Sequence, residues 1–244
     1  MPDEAAVALP RLERGVVHVF WFATDLPAGS LDELERVLDV DERARADRFH
    51  FPRDRGRFIA ARGRLRALLG RYAKQAPARL EFDTGPCGKP ALRRTIGADQ
   101  LHFNLSRSDG FGVAAIGLEE ELGIDVERIR PFDNALAIAE RMFRPEEYRA
   151  LRALPEEAQP AAFFRYWTRK EAVVKSLGRG LSHPLDAFGL SAEGLSAEWV
   201  DLERDGVPTV RCVVPVPPLR EGFVAALATP GPPPAVRCWD WPGE

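Results

Sequence analysis

Two separate words of this 244-residue sequence recur about half a chain further on, and that echo limits the architectures open to it. Gly110-Phe111-Gly112-Val113-Ala114-Ala115-Ile116 is matched by Gly222-Phe223-Val224-Ala225-Ala226-Leu227, each an apolar run of buried-strand type. Arg62 to Leu69-Gly70 is matched by Lys170 to Leu177-Gly178, each running from a basic residue to a Leu-Gly pair that reads as a helix end. Short apolar words coincide by chance often; two different words displaced by nearly the same interval are harder to dismiss. The pattern predicts an α+β chain of two similar halves, residues 1–119 and 120–244, with a ligand cleft between them.

Local signals fill in the halves. After a loose lead-in to about residue 14, the β-branched and aromatic run Val16 to Phe22 reads as a strand. Ser30 to Val40 and Asp54 to Tyr72 have helical spacing, and Ser30 with Glu33 forms a capping-box signal at the first of them. Pro215 to Pro218 and Pro230 to Pro234 mark loop edges around the Phe223 strand and a final strand from Val236 to Trp241.

With 45% hydrophobic and 29% charged residues the chain can bury a substantial core. No stretch approaches the roughly 18 apolar residues of a membrane span, and acidic residues stand at the N-terminus where a signal peptide would be basic. A cytoplasmic protein without membrane association is expected. Cys87, Cys212 and Cys238 lie at long, unpaired spacings, which suggests plain thiols in place of a disulfide framework or zinc site. Although the net charge is −3, Asp41 to Lys74 holds eleven Arg or Lys against four Asp or Glu. Such a run is either a solvated helix face or a docking surface for polyphosphate or an acidic partner. Its few, irregular aromatic residues do not make a stacking platform for nucleic acid.

Four segments carry chemistry. In Gly123-Ile124-Asp125-Val126-Glu127, strand alternation buries Ile124 and Val126 and sets Asp125 and Glu127 side by side on the other face. Two such acids repel unless a cation offsets them, and hard oxygen ligands favour Mg²⁺ or Mn²⁺ shared with substrate phosphates. In Trp167-Thr168-Arg169-Lys170-Glu171-Ala172-Val173-Val174-Lys175, Glu171 and Lys175 sit one helical turn apart, with Trp167, Val174 and Leu177 on the core side. Phe103-Asn104-Leu105-Ser106-Arg107-Ser108-Asp109-Gly110 leaves a strand for a turn rich in hydroxyls with one guanidinium, suited to phosphate, and Gly85-Pro86-Cys87-Gly88-Lys89-Pro90 presents a lysine on a stiff turn. Each pattern alone has a bland counterpart: a polar strand face, a surface ion pair, two ordinary turns.

Taken in this order, the four segments resemble the surfactin-synthetase-type 4′-phosphopantetheinyl transferases, whose signatures are a Gly-Lys-Pro turn, Asn-x-Ser-His-Ser, Gly-Ile/Val-Asp-x-Glu and Trp-x-x-Lys-Glu-Ala-x-x-Lys. Arg141-Met142-Phe143 and Gly180-Leu181-Ser182 with Pro184-Leu185 extend the likeness, and that family's fold, two similar α/β halves related by a pseudo-two-fold axis, agrees with the internal echo. The resemblance implies a monomeric, Mg²⁺-dependent enzyme that moves the 4′-phosphopantetheine arm of coenzyme A to a serine of apo acyl or peptidyl carrier proteins and releases 3′,5′-ADP. It implies that Asp125, Glu127 and Glu171 ligate the metal, that Glu171 acts as base, and that Lys175 stabilises charge on the leaving phosphate. Lys170 would help hold the phosphates, Lys89 and Ser106 would contact the nucleotide end, and Arg45 and Arg57 would face the 3′-phosphate. Departures are Arg107 where the family has His, which keeps a cation able to grip phosphate, and Phe58 where a small hydroxyl residue is expected. A carrier-protein surface would combine the basic helical segment with Phe132, Met142 and Phe143. The alternative readings are a non-catalytic coenzyme A or carrier-protein binding homologue, and a glycoside hydrolase, which two adjacent carboxylates on one strand fit poorly.

Overall fold

The computed structural model describes residues 9–85, 88–93, 100–118, 121–178, 183–204 and 206–241. Cys87, the proposed boundary at 119 and 120, and Gly180 to Ser182 lie outside the described residues. In chain order the elements are β1 (Val16–Ala23), α1 (Ala28–Arg36), α2 (Val40–Ala46), α3 (Pro52–Ala73), β2 (Phe82–Thr84), β3 (Pro90–Leu92), β4 (His102–Ser108), β5 (Phe111–Gly117) and β6 (Gly123–Arg128). There follow α4 (Ala135–Met142), α5 (Pro145–Arg152), α6 (Gln159–Leu177), β7 (Glu198–Arg204), β8 (Val207–Val216), β9 (Phe223–Thr229) and β10 (Ala235–Asp240).

These make a mixed α+β fold with two four-stranded sheets, ordered β10-β1-β5-β4 and β6-β9-β8-β7, and a small β2-β3 hairpin. The strands are apolar on both faces because both faces are covered. Along β1, Val17, Val19 and Trp21 point into a core shared with Ile124 and Val126 of β6, Val214 of β8 and Leu227 of β9. Phe20 and Phe22 point the other way, onto Leu65, Leu68 and Leu69 of α3. The far face of the second sheet is closed by α6, whose Ala172, Val173 and Val174 join Val213, Ala226 and Ala228. The molecule is thus layered as α3, first sheet, second sheet, α6.

The connectivities of the two sheets can be set side by side: β1 leads to α3 and then to β4 and β5, with β5 returning beside β1; β6 leads to α6 and then to β8 and β9, with β9 returning beside β6. β10 breaks the correspondence by crossing back to pair in parallel with β1. Local signals fared unevenly. α1 starts at Ala28, beyond Pro27, with no side-chain cap, so the Ser30–Glu33 signal does not operate; the capping box belongs to Asp39 and Glu42 at α2. Gly178 does end α6 in a left-handed conformation, whereas α3 runs past Gly70 to Ala73.

The basic run is cross-tied. Arg55 pairs with Glu35 and Asp47, Arg57 with Asp25, Arg62 with Glu42, and Arg66 with Glu42 and Asp39. Four of the eleven cations of the run therefore fasten α3 to its neighbours. Phe143 is core and Phe132 and Met142 pack against that core, which removes Phe143 from the expected carrier-protein surface.

Candidate active site

β4 and β6 are edge strands of different sheets, and they run side by side. Their junction is made by side chains. Asn104 Oδ1 accepts from the Ile124 amide at 2.8 Å, Ser106 Oγ from the Val126 amide at 3.4 Å, and Ser108 Oγ from the Arg128 amide at 3.2 Å. The segment Phe103 to Gly110 leaves a strand for a turn as expected: β4 runs through Ser108 and the turn falls at Asp109-Gly110. A period-two alternation of Asn-x-Ser-x-Ser is what an edge strand needs to present three polar groups on one side.

Gly123 brings α6 in. A Cβ at this position would overlap the carbonyl oxygen of Ala172 and the amide nitrogen of Ser176, so α6 rests directly on the β6 backbone. That contact sets Glu171 and Lys175 over the acidic strand. Lys175 Nζ bonds Asp125 Oδ1 at 2.6 Å and Ser106 Oγ at 3.0 Å, and Ser106 Oγ donates to the same Asp125 oxygen at 2.8 Å. Lys175 thus pairs across elements with Asp125 and not along the helix with Glu171.

The three acids expected to hold metal divide. Asp125 Oδ2 and Glu171 Oε1 are buried without a hydrogen-bond partner, an arrangement that strongly disfavours two uncompensated charges. Glu127 is turned onto Ser108, which donates to Oε2 at 2.6 Å, and lies 3.9 Å from Arg130. Burial, then the charges of Asp125 and Glu127, push the Glu171 carboxyl up to about 7 against the pull of Lys175. Burial also raises Glu127. Among the described residues no three His, Cys, Asp or Glu side chains are gathered closely enough, as they stand, to coordinate one ion.

Beside these groups a cleft of about 540 Å³ is lined by Arg45, Phe58, Arg62, Ser106, Arg107 and Lys175. Phe58 is a platform within it: the guanidinium of Arg45 lies 5.6 Å from its ring centroid and that of Arg107 5.7 Å. Arg107 keeps an exposed edge, yet the protein packed around it and the like charges of Arg45, Arg62 and Arg57 lower its pKa, the mark of cations crowded into one place. Arg57 opens instead on an adjoining cavity of about 200 Å³ that shares Arg107, and its guanidinium is held by Asp25 at 2.6 and 2.7 Å.

Two residues expected to meet coenzyme A are bonded within the protein. Lys170 is fully buried on the opposite side of α6, its ammonium 2.8 Å from Glu147 Oε2 and donating to the carbonyls of Leu185 and Phe188. The expectation that it holds phosphate is corrected: the i, i+5 offset from Lys175 turns it into the core, and Glu147, which no motif flagged, is its counter-ion. Lys89 Nζ donates to the carbonyls of Leu122 and Lys175, at 2.9 and 2.8 Å. It caps the end of α6, where a cation complements the helix dipole, and so supports the site from behind.

Residues 121–228 match the profile of the 4′-phosphopantetheinyl transferase superfamily. The chain is 42% identical over 166 residues to the 4′-phosphopantetheinyl transferase HetI of Nostoc sp., covering 68% of this chain and 70% of that protein. It is 34% identical over 206 residues to the 4′-phosphopantetheinyl transferase psf-1 of Bacillus pumilus, covering 82% of each, and 31% identical over 164 residues to the transferase Sfp of Bacillus subtilis, covering 66% of this chain and 70% of that one. The matched segment includes β6, α6 and the acids and lysine that they bring together. The chain belongs to the 4′-phosphopantetheinyl transferase superfamily.

Proposed function

We propose that the protein transfers the 4′-phosphopantetheine arm of coenzyme A to a serine hydroxyl of an apo carrier protein, with 3′,5′-ADP as the other product. The observation that carries this reading is the convergence of Asp125, Glu171 and Lys175, with Lys175 reaching the wall of a cleft that Arg45, Arg62 and Arg107 also line. Coenzyme A is a polyanion, and Arg45, Arg107 and Arg62 supply cations with Phe58 as an apolar floor. Glu171, with a pKa of about 7, is poised to accept the serine proton at neutral pH. Lys175 uses two of its three protons on Asp125 and Ser106 and borders the cleft, where it can meet charge on the leaving phosphate.

The donor set fits a hard divalent cation: two buried carboxylate oxygens lack partners, and burial, with its acidic neighbours, raises the pKa of the Glu171 carboxyl. Asp125, Glu127 and Glu171 would hold Mg²⁺ or Mn²⁺, which when bound offsets charge on the phosphoryl group. We further propose a monomer of two pseudo-symmetric halves, supported by the repeated strand-helix-hairpin connectivity. No described helix is long and apolar enough to cross a membrane.

The test is intact-protein mass spectrometry of several apo carrier domains incubated with the protein, coenzyme A and Mg²⁺, with an EDTA control. A gain of one phosphopantetheine arm, abolished by EDTA, is expected. No gain on acyl, polyketide or peptidyl carrier domains, with coenzyme A still bound by calorimetry, would favour the binding homologue.

A further inference from the structure

We propose that the protein has a second ligand site, at the other end of α3 from the cleft beside Lys175, which takes a free long-chain carboxylate with its tail in an apolar cavity and its head on a cationic rim. The proposal goes beyond the transferase reading and does not depend on it. Phe58 and Arg62, in the first half of α3, line the cleft, whereas Arg71, Tyr72 and Ala73, in its last turn, line a separate cavity of about 670 Å³. From Arg62 to Arg71 the helix rises about 13 Å, and the two spaces share no lining residue among those described.

The floor of this cavity is aliphatic. Leu9, Leu12 and Leu92 pack against the core between α3 and the first sheet yet are only partly covered, and Leu101 and Leu118 continue the lining. An alkyl chain laid on them would be driven there by the same effect that builds the core. The rim is cationic: Arg11, Arg71, Lys74 and Arg93 line the cavity and, among the described residues, no Asp or Glu does.

The four cations are not equivalent. Arg93 is taken by Glu81 and Asp83, and the Arg71 guanidinium lies 5.0 Å from the centroid of the Trp241 ring. Arg11 and Lys74 are exposed and enter no ion pair with a described residue. The end of α3 adds a partial negative charge of about half a unit, which Arg11, Arg71 and Lys74 together outweigh. A neutral lipid would leave this rim unmatched and a cationic one would be repelled, so a chain with one anionic head suits both parts of the cavity. The volume is that of a concave small-molecule site, which favours a free acid over a bilayer surface.

The test is calorimetric titration of the full chain, at low salt, with dodecanoate below its micellar concentration. One-to-one binding with a Kd on the order of 10–100 μM is expected, at least about tenfold weaker for dodecyltrimethylammonium and undetectable for butyrate. Saturating coenzyme A should leave dodecanoate affinity unchanged. Arg11→Gln with Lys74→Gln, at two exposed positions, should weaken binding at least about fivefold. Ala73→Phe, which fills the cavity, should abolish it, and should that variant fail to fold, the paired neutralisation decides alone. No binding, equal affinity for the cationic amphiphile, displacement by coenzyme A or unchanged affinity after the paired neutralisation would each overturn the site. Binding to phosphatidylglycerol vesicles without binding to dodecanoate would overturn it in favour of a membrane surface.

Discussion

On one face of α6 the ammonium of Lys170 has all three protons placed, on Glu147 and on the carbonyls of Leu185 and Phe188; on the next face the carboxylate of Glu171, also buried, keeps an oxygen with nothing donating to it. The residues are adjacent in sequence and about 100° apart around the helix. Glu147 is equally well served, accepting from the amides of Arg144 and Leu190 as well as from Lys170. A charge whose bonds are all made holds elements together, here α5 and the 185–190 segment against α6. A buried charge left incomplete destabilises the resting protein and is kept for a ligand to complete.

Three substitutions sharpen or break this contrast. Glu171→Gln keeps the shape and removes the base, and should lower turnover by about 10³-fold or more with the fold intact, seen as carrier modification against a circular dichroism control. Near-native turnover would remove Glu171 from the chemistry. Lys170→Met should act on stability first, costing roughly 3–5 kcal/mol in denaturant titrations because Glu147 is stranded, and Lys170→Met with Glu147→Leu should recover much of it. If Lys170→Met left stability unchanged and raised only the KM for coenzyme A, the ammonium would belong to the substrate site after all.

The smallest effect is in pH dependence. A carboxyl raised from 4.5 to about 7 binds more protons folded than unfolded, so its contribution is fully present below about pH 4.5 and is lost as pH rises through 7. In EDTA, wild-type stability should therefore decline relative to Glu171→Gln between pH 5 and 8, by on the order of 1–3 kcal/mol in paired thermal unfolding series. A constant difference between the two would mean that Glu171 is not desolvated in solution.

The same contrast marks where sequence reading runs out. Alternation alone set Ile124 and Val126 inward, and the spacing of Trp167 to Lys175 gave a helix with Glu171 and Lys175 on one face. What spacing cannot reveal is which neighbour a face meets. Asp125 rather than Glu171 takes Lys175, Lys170 turns to Glu147, and Arg57, Arg55 and Arg66 of the basic run take Asp25, Glu35 and Asp39 from other elements. Those partners come from tertiary packing, set partly by Gly123 letting α6 lie on β6. Ser30 with Glu33 failed for a related reason: Pro27, favoured just before a helix, fixed the start of α1 upstream of that pair.

The parallel pairing of β10 with β1 bears on how the protein is made. β1 emerges from the ribosome roughly 200 residues before its partner, which at about 5–20 residues per second is a wait on the order of tens of seconds. Throughout that interval one side of an eight-residue strand of sequence VVHVFWFA lacks its neighbour. Nascent chains stalled before Ala235 should therefore be the ones that recruit chaperones or aggregate, and release of β10 should be the step that ends that vulnerability.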